Sequence, residues 1–93
     1  ILYNSGDQYE GEVEKNDKSG NGTYTWSNGA VYIGEWENDM MNGHGIYYYS
    51  SSSYPRLEGE FVNNQPEGEC EYYTGENASI MTMWKDGECV SQD

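Results

Sequence analysis

The sequence predicts an all-β fold: a single-layer antiparallel β-meander of tandem hairpins, elongated and twisted. Three observations carry that expectation. The hydrophobic fraction is only 34% and is dominated by ten Tyr, three Trp and one Phe, with Leu at positions 2 and 57 alone. A Leu-rich helical bundle therefore has no raw material. Short segments alternate in character with period two, as half-buried strands do. Those segments also recur: Tyr9-x-Gly11, Tyr32-x-Gly34 and Leu57-x-Gly59 stand at intervals of 23 and 25, as do Gly20-x-Gly22, Gly43-x-Gly45 and Gly68-x-Cys70. A fixed period of roughly 20–50 residues marks stacked structural units.

The elements follow in chain order. Ile1-x-Tyr3 occupies the place of Tyr24-x-Trp26, so residues 1–8 read as a partial unit. The first full repeat, 9–31, opens with YEGEV, whose Tyr9, Gly11 and Val13 share one face while Glu10, Glu12 and Glu14 share the other. Lys15-Asn16-Asp17 turns the chain, because Asn and Asp tolerate the positive φ of tight hairpins. The return strand sets Gly20, Gly22, Tyr24 and Trp26 on one face and Thr23 and Thr25 on the opposite one, and Asn28-Gly29 leads into the next unit.

The second repeat, 32–56, sets Tyr32, Gly34 and Trp36 against Ile33, Glu35 and Glu37. It turns at Asn38-Asp39 and returns through Gly43, Gly45, Tyr47 and Tyr49. Its two extra residues fall in a loop insertion near 50–56 that begins with Ser50 to Ser53. The third repeat, 57–79, sets Leu57, Gly59 and Phe61 against Glu58, Glu60 and Val62 and turns at Asn63-Asn64. Residues 80–93 hold a degenerate or capping unit, Ile80-x-Thr82-x-Trp84 with a turn at Asp86-Gly87. The whole of 1–93 is one repeat array with one hairpin per repeat.

Glycine ordinarily weakens a strand, so its regular placement implies close packing. A glycine beside an aromatic residue on the same face leaves room for a neighbouring ring to lie across the backbone. Rings of one hairpin are then expected to cover the next. A phosphate loop is the rival reading of Gly20-x-Gly22, but the dinucleotide fingerprint needs a third glycine where Thr25 stands, and a helix after it.

The pattern Y-x-G-x-W, a turn, then G-x-G-x-Y resembles the MORN repeat. Its clearest copy is Tyr32-Ile33-Gly34-Glu35-Trp36 followed by Asn42-Gly43-His44-Gly45-Ile46-Tyr47. Cys70 and Thr82 depart from it at motif glycines, and Leu57 and Ile80 at the leading Tyr. The resemblance implies a scaffold or protein-interaction module, cytoplasmic or nuclear and associated with the cytoskeleton. It also leaves room for an accessory segment of a larger enzyme, a SET-domain lysine methyltransferase or a phosphatidylinositol-phosphate kinase. The chain opens at Ile1 rather than Met, which reads as a piece of a longer protein.

Charge narrows the partners. Four basic residues, Lys15, Lys18, Arg56 and Lys85, stand against 17 acidic ones, for a net charge of −13. Nucleic acid and anionic membranes are recognised by clustered Lys and Arg, so both are disfavoured. The basic loop residues common in such repeats are largely absent, which weighs against the phospholipid binding proposed for the family. Carbohydrate or choline binding on aromatic platforms ranks third, behind the scaffold and enzyme-accessory readings and ahead of anionic lipid, since the adjacent aromatic residues around a Gly-Trp pair found in such repeats are missing. The expected partner is a protein or peptide, basic or amphipathic, and a homodimer through a terminal hairpin or sheet edge is a further option.

No cofactor, metal site or catalytic residue is expected. Cys70 and Cys89 lack C-x-x-C spacing and read as free thiols. His44 lies between two motif glycines with no partnered nucleophile. Glu58 and Glu60 read as a solvated face rather than an acid–base pair. The candidate partner-binding residues are the aromatic ones, Trp26, Trp36, Tyr47, Tyr49, Phe61 and Trp84, through packing, partner contact or both. Tyr48 and Tyr73, on the opposite face, and Tyr54, in the insertion, are expected to be exposed.

Overall fold

The computed structural model describes residues 1–92. Eight strands form one antiparallel sheet in simple sequence order: β1 (Gln8–Glu14), β2 (Asp17–Thr25), β3 (Val31–Glu37), β4 (Met40–Tyr48), β5 (Arg56–Val62), β6 (Gln65–Gly75), β7 (Ala78–Lys85) and β8 (Glu88–Gln92). The body measures 40 × 24 × 18 Å. This is the predicted open meander.

The hairpin turns owe their shape to paired left-handed residues. Lys15 and Asn16, Asn38 and Asp39, Asn63 and Asn64, and Asp86 and Gly87 all have positive φ. Two consecutive positive φ values give the two-residue turn whose twist matches that of the strands. Lys15 and Asn16 make the first turn, and Asp17 already belongs to β2. A wider turn joins hairpins: Trp26 N donates to Ala30 O (2.9 Å) and Gly29 N to Trp26 O (3.0 Å). The same pair of bonds recurs at the N-terminus, from Tyr3 N to Asp7 O (2.9 Å) and from Gly6 N to Tyr3 O (3.0 Å). Residues 1–3 then run beside β1, with Tyr9 N donating to Ile1 O (2.8 Å).

Two rows cross the strands at right angles. One runs Gly11, Gly22, Gly34, Gly45, Gly59, Cys70 and Thr82, each paired in register with the next. The other runs Tyr9, Tyr24, Tyr32, Tyr47, Leu57, Tyr72 and Ile80. The Tyr9 ring lies across Gly11 and Gly22, and the Tyr32 ring across Gly34 and Gly45, where any Cβ would collide with the phenol. These rings therefore cover the glycines of their own hairpin, whereas the sequence reading sent them to the neighbouring one. The reason is reach. A tyrosine two residues from a glycine on the same strand spans both facing glycines, and its hydroxyl then meets the bulge carbonyl beyond them. Tyr9 Oη donates to Glu12 O (2.6 Å) and Tyr32 Oη to Glu35 O (3.1 Å).

The register shifts after Gly11, Gly34 and Gly59 explain that carbonyl's position. A β-bulge leaves Glu12 and Glu35 out of the ladder, whereas in the third hairpin Glu60 pairs with Glu67 and the residues left out are Gly68 and Glu69. The bulged Glu12 and Glu35 fold their carboxylates onto the opposite strand, accepting the N–H of Asn21 and of His44, both at 2.7 Å. Gly20 and Gly43, with φ of 68° and 110°, lie against those carboxylates. The first glycine of each G-x-G thus serves the bulge rather than a ring, as the sequence reading had it; only the second serves the ring.

What joins one hairpin to the next is the fifth motif position. Trp36 meets Tyr9 edge-on at 5.7 Å and Tyr32 at 5.2 Å, and its Nε1 donates to Gly22 O at 3.1 Å. Phe61 meets Tyr32 edge-on at 5.1 Å. Tyr9, Tyr32, Trp36, Met41, Leu57, Phe61 and Cys70 form the buried core. Val13 holds the same motif position but is 52% exposed.

Candidate functional site

The core rings form a floor, and a second set of aromatic rings stands beside it. From one end of the sheet to the other, Tyr3, Tyr24, Trp26, Tyr47, Tyr49 and Tyr72 follow with centroid separations of 5.8, 4.7, 5.5, 5.0 and 5.9 Å. Each separation lies in the range where tilted and edge-on aromatic pairs attract. Tyr24 also touches Trp36 at 5.9 Å, tying the strip to the floor. Burial pushes the Tyr32 phenol up to about 12, and burial together with the Asp7 carboxylate does the same for Tyr24. These rings stay neutral well above neutral pH.

The six aromatic residues singled out in the sequence share this one face but differ in access. Trp36 and Phe61 are buried and supply the floor. Trp26, Tyr47 and Trp84 are half-buried, and Tyr49 is exposed. Trp26, Tyr47, Tyr49, Phe61 and Trp84, together with Met41 and Leu57, line one concavity of about 330 Å³. A neighbouring hollow of about 290 Å³ runs from Trp26 past Trp36 to Lys18 and Asp39.

Lys18 is the residue the sequence reading missed. Its Nζ lies over the rings of Trp36 (5.2 Å), Tyr24 (5.3 Å), Tyr9 (5.8 Å) and Tyr3 (5.9 Å). Asp39 completes the cage at 3.2 Å, and the lysine side chain is only 14% exposed. A cation held over aromatic faces is attracted by their quadrupoles, the more so when partly desolvated. Lys18 shares parity along β2 with Gly20, Gly22, Tyr24 and Trp26. That parity was the available signal: a lysine on the aromatic face of a strand.

Asp39 also ties the repeats together. Its carboxylate accepts the backbone N–H of Lys18 at 2.7 Å, one repeat back. The bond from Lys18 N–H, and secondly the lysine ammonium, hold its carboxyl below the usual aspartate value. Asn64 repeats the bond one unit on, accepting the N–H of Met41 at 2.9 Å. At the next junction both partners are lost together, since Pro66 has no N–H and Gly87 no side chain.

The C-terminal hairpins exchange parts in the same coordinated way. Leu57 carries no phenol, and Cys70 fills the space above Gly59. The Cys70 thiol lies 3.9 Å from Glu60 O, the counterpart of the carbonyl that a tyrosine hydroxyl reaches in the earlier hairpins, and 3.9 Å from Glu67 O. Burial pushes that thiol's pKa up. Trp84 donates to Thr82 Oγ1 (2.7 Å), which donates to Cys70 O (2.5 Å). A threonine hydroxyl thus relays a contact that Trp36 makes directly to Gly22 O.

On the opposite face Arg56 stacks on Tyr73 (4.3 Å) and Tyr54 (4.9 Å). Tyr54 and Tyr73 are accordingly half-buried, and Tyr48 is half-buried too, rather than exposed as expected. His44 is 61% exposed, with Glu60 at 3.2 Å. Both cysteines are free thiols, Cys70 buried and Cys89 exposed. Among the described residues no three His, Cys, Asp or Glu side chains gather to hold a metal ion.

Comparison with known proteins agrees with this geometry. The family model of the MORN repeat matches three consecutive segments, 9–31, 32–54 and 58–76. The third match begins one residue after Leu57, where the leading tyrosine is replaced. No curated protein matches the chain at a significant level. With more than half of its length matched in three in-phase copies, the chain belongs to the MORN-repeat family.

Proposed function

We propose that this chain is a non-catalytic scaffold module that binds a protein partner through its aromatic face. The observation that carries the reading is the concavity of about 330 Å³ walled by Trp26, Tyr47, Tyr49 and Trp84. Tyr and Trp presented over a packed floor give a partner large contact area at small entropic cost, the usual make-up of a binding hot spot. The net charge of −13 selects for a basic partner and speeds its approach. A basic amphipathic helix, laying apolar side chains into the concavity and Lys or Arg against the acidic surroundings, fits both features.

A panel of basic amphipathic peptides, titrated against the protein with tryptophan fluorescence as the readout, tests the reading. Trp26→Ala and Tyr49→Ala should each weaken the binding about tenfold or more, the scale of a hot-spot truncation. Undiminished binding by a variant whose far-ultraviolet circular dichroism matches the parent would refute it.

A further inference from the structure

The open concavity includes the next copy of the Lys18 cage, one repeat on, and extends past it to Tyr49 and Trp84. At the interval of 23, Tyr3 corresponds to Trp26, Lys18 to Met41 and Tyr24 to Tyr47; at the interval of 25, Trp36 corresponds to Phe61 and Asp39 to Asn64. In the first copy the space between the rings holds an ammonium group, Lys18 Nζ, 5.2 to 5.9 Å from four ring centroids. In the second copy buried Met41 takes the lysine's place, and the concavity above it, between Trp26, Tyr47 and the rings beyond, is walled by aromatic faces with no side-chain cation among its lining residues. The chain therefore displays in one repeat what its aromatic walls hold, and in the next the same kind of wall without a resident cation.

The exchange of Asp39 for Asn64 says which cation. Lys18 keeps a carboxylate oxygen at 3.2 Å for its N–H donors. No carboxylate lines the open copy, and the amide oxygen of Asn64 is engaged by the N–H of Met41. A bare ammonium moved there would give up hydrogen bonds to water without replacement. A methylated ammonium has few or no N–H groups to satisfy, spreads its charge over methyl groups and suits aromatic faces. Around it the net charge of −13 supplies a favourable long-range field.

Resting on the reading of this face as the partner surface, we infer that the concavity walled by Trp26, Tyr47, Tyr49 and Trp84 takes the methylated ammonium of a lysine side chain on a protein partner. Lys18 is its internal counterpart, an ammonium already seated over the rings of the first copy.

Three probes test this on the full chain: trimethyl-lysine amide, lysine amide, and the neutral isostere in which carbon replaces the ammonium nitrogen. The readout is the indole Nε1–H resonances of Trp26 and Trp84 during titration. Trimethyl-lysine amide should bind about fivefold more tightly than the neutral isostere, and more tightly than lysine amide. Trp26→Leu, which keeps apolar bulk without the indole face, should abolish the preference while leaving the fold intact by circular dichroism. Equal binding of charged and neutral probes overturns cation recognition yet leaves an apolar partner site standing. Lysine amide binding as tightly as the trimethylated form overturns the methyl preference. Silence from all three probes overturns the inference, whereas the proposed function stands or falls on the peptide titration.

Discussion

The first two hairpins and the third build the same lock from different parts. In hairpins one and two a tyrosine ring crosses a pair of facing glycines and hydrogen-bonds the bulge carbonyl, Glu12 O or Glu35 O. In hairpin three the tyrosine is Leu57, one glycine is Cys70, and the thiol sits against Glu60 O instead. Volume moves from one strand to the other while the carbonyl keeps a partner. The requirement of the fold is therefore the filled space and the capped carbonyl, not the motif letters. The junctions between repeats teach the same lesson: Pro66 gives up the N–H at the point where Gly87 gives up the acceptor.

The largest break in this comparison should come from the glycine row. Gly45→Val places a branched side chain where the Tyr32 ring lies, and overpacking of this kind costs about 3 kcal/mol. Urea unfolding followed by tryptophan fluorescence measures it, and Cys70→Val, at a position that already carries a side chain, should cost clearly less. Tyr32→Phe removes only the hydroxyl on Glu35 O and should cost about 1 kcal/mol in the same assay. Asn64→Ala frees the Met41 N–H at a partly solvated junction, for about 0.5 kcal/mol.

The smallest effect separates the junctions by pH. The Asp39 carboxyl is depressed below its ordinary value of 3.8 by the Lys18 N–H and then by the lysine ammonium. A depressed carboxyl contributes stability above its unfolded value and loses it as the pH falls through the folded value. The native protein should thus weaken below about pH 4. Asp39→Asn, which copies the Asn64 junction, should weaken less over that window in acid titrations of the urea midpoint.

Much of this was legible in the sequence, and the gaps have physical causes. The repeat period, the turn pairs and the shared face of Trp26, Trp36, Tyr47, Tyr49, Phe61 and Trp84 follow from spacing alone. The destination of the tyrosine rings did not, because period two fixes a face but not the direction in which a long side chain leans along it. Gly20 and Gly22 read alike in sequence, yet a bulge gives one to a carboxylate and the other to a ring. Lys18 was hidden by counting cations for surface clusters, when a single lysine on an aromatic face is held by rings rather than by other charges. Tyr54 and Tyr73 were placed in solvent because Arg56 was not seen between them.

A double-mutant cycle on Leu57 and Cys70 reaches the central claim most directly. Leu57→Tyr alone should drive its ring into the Cys70 side chain, and Cys70→Gly alone should leave a void, each costing about 2 kcal/mol. Together they rebuild the arrangement of hairpins one and two, so the double variant should regain most of the parent's stability, with a coupling of about 3 kcal/mol. Additive losses in the double variant would show that Leu57 and Cys70 are independent substitutions and would contradict the account of a compensated lock.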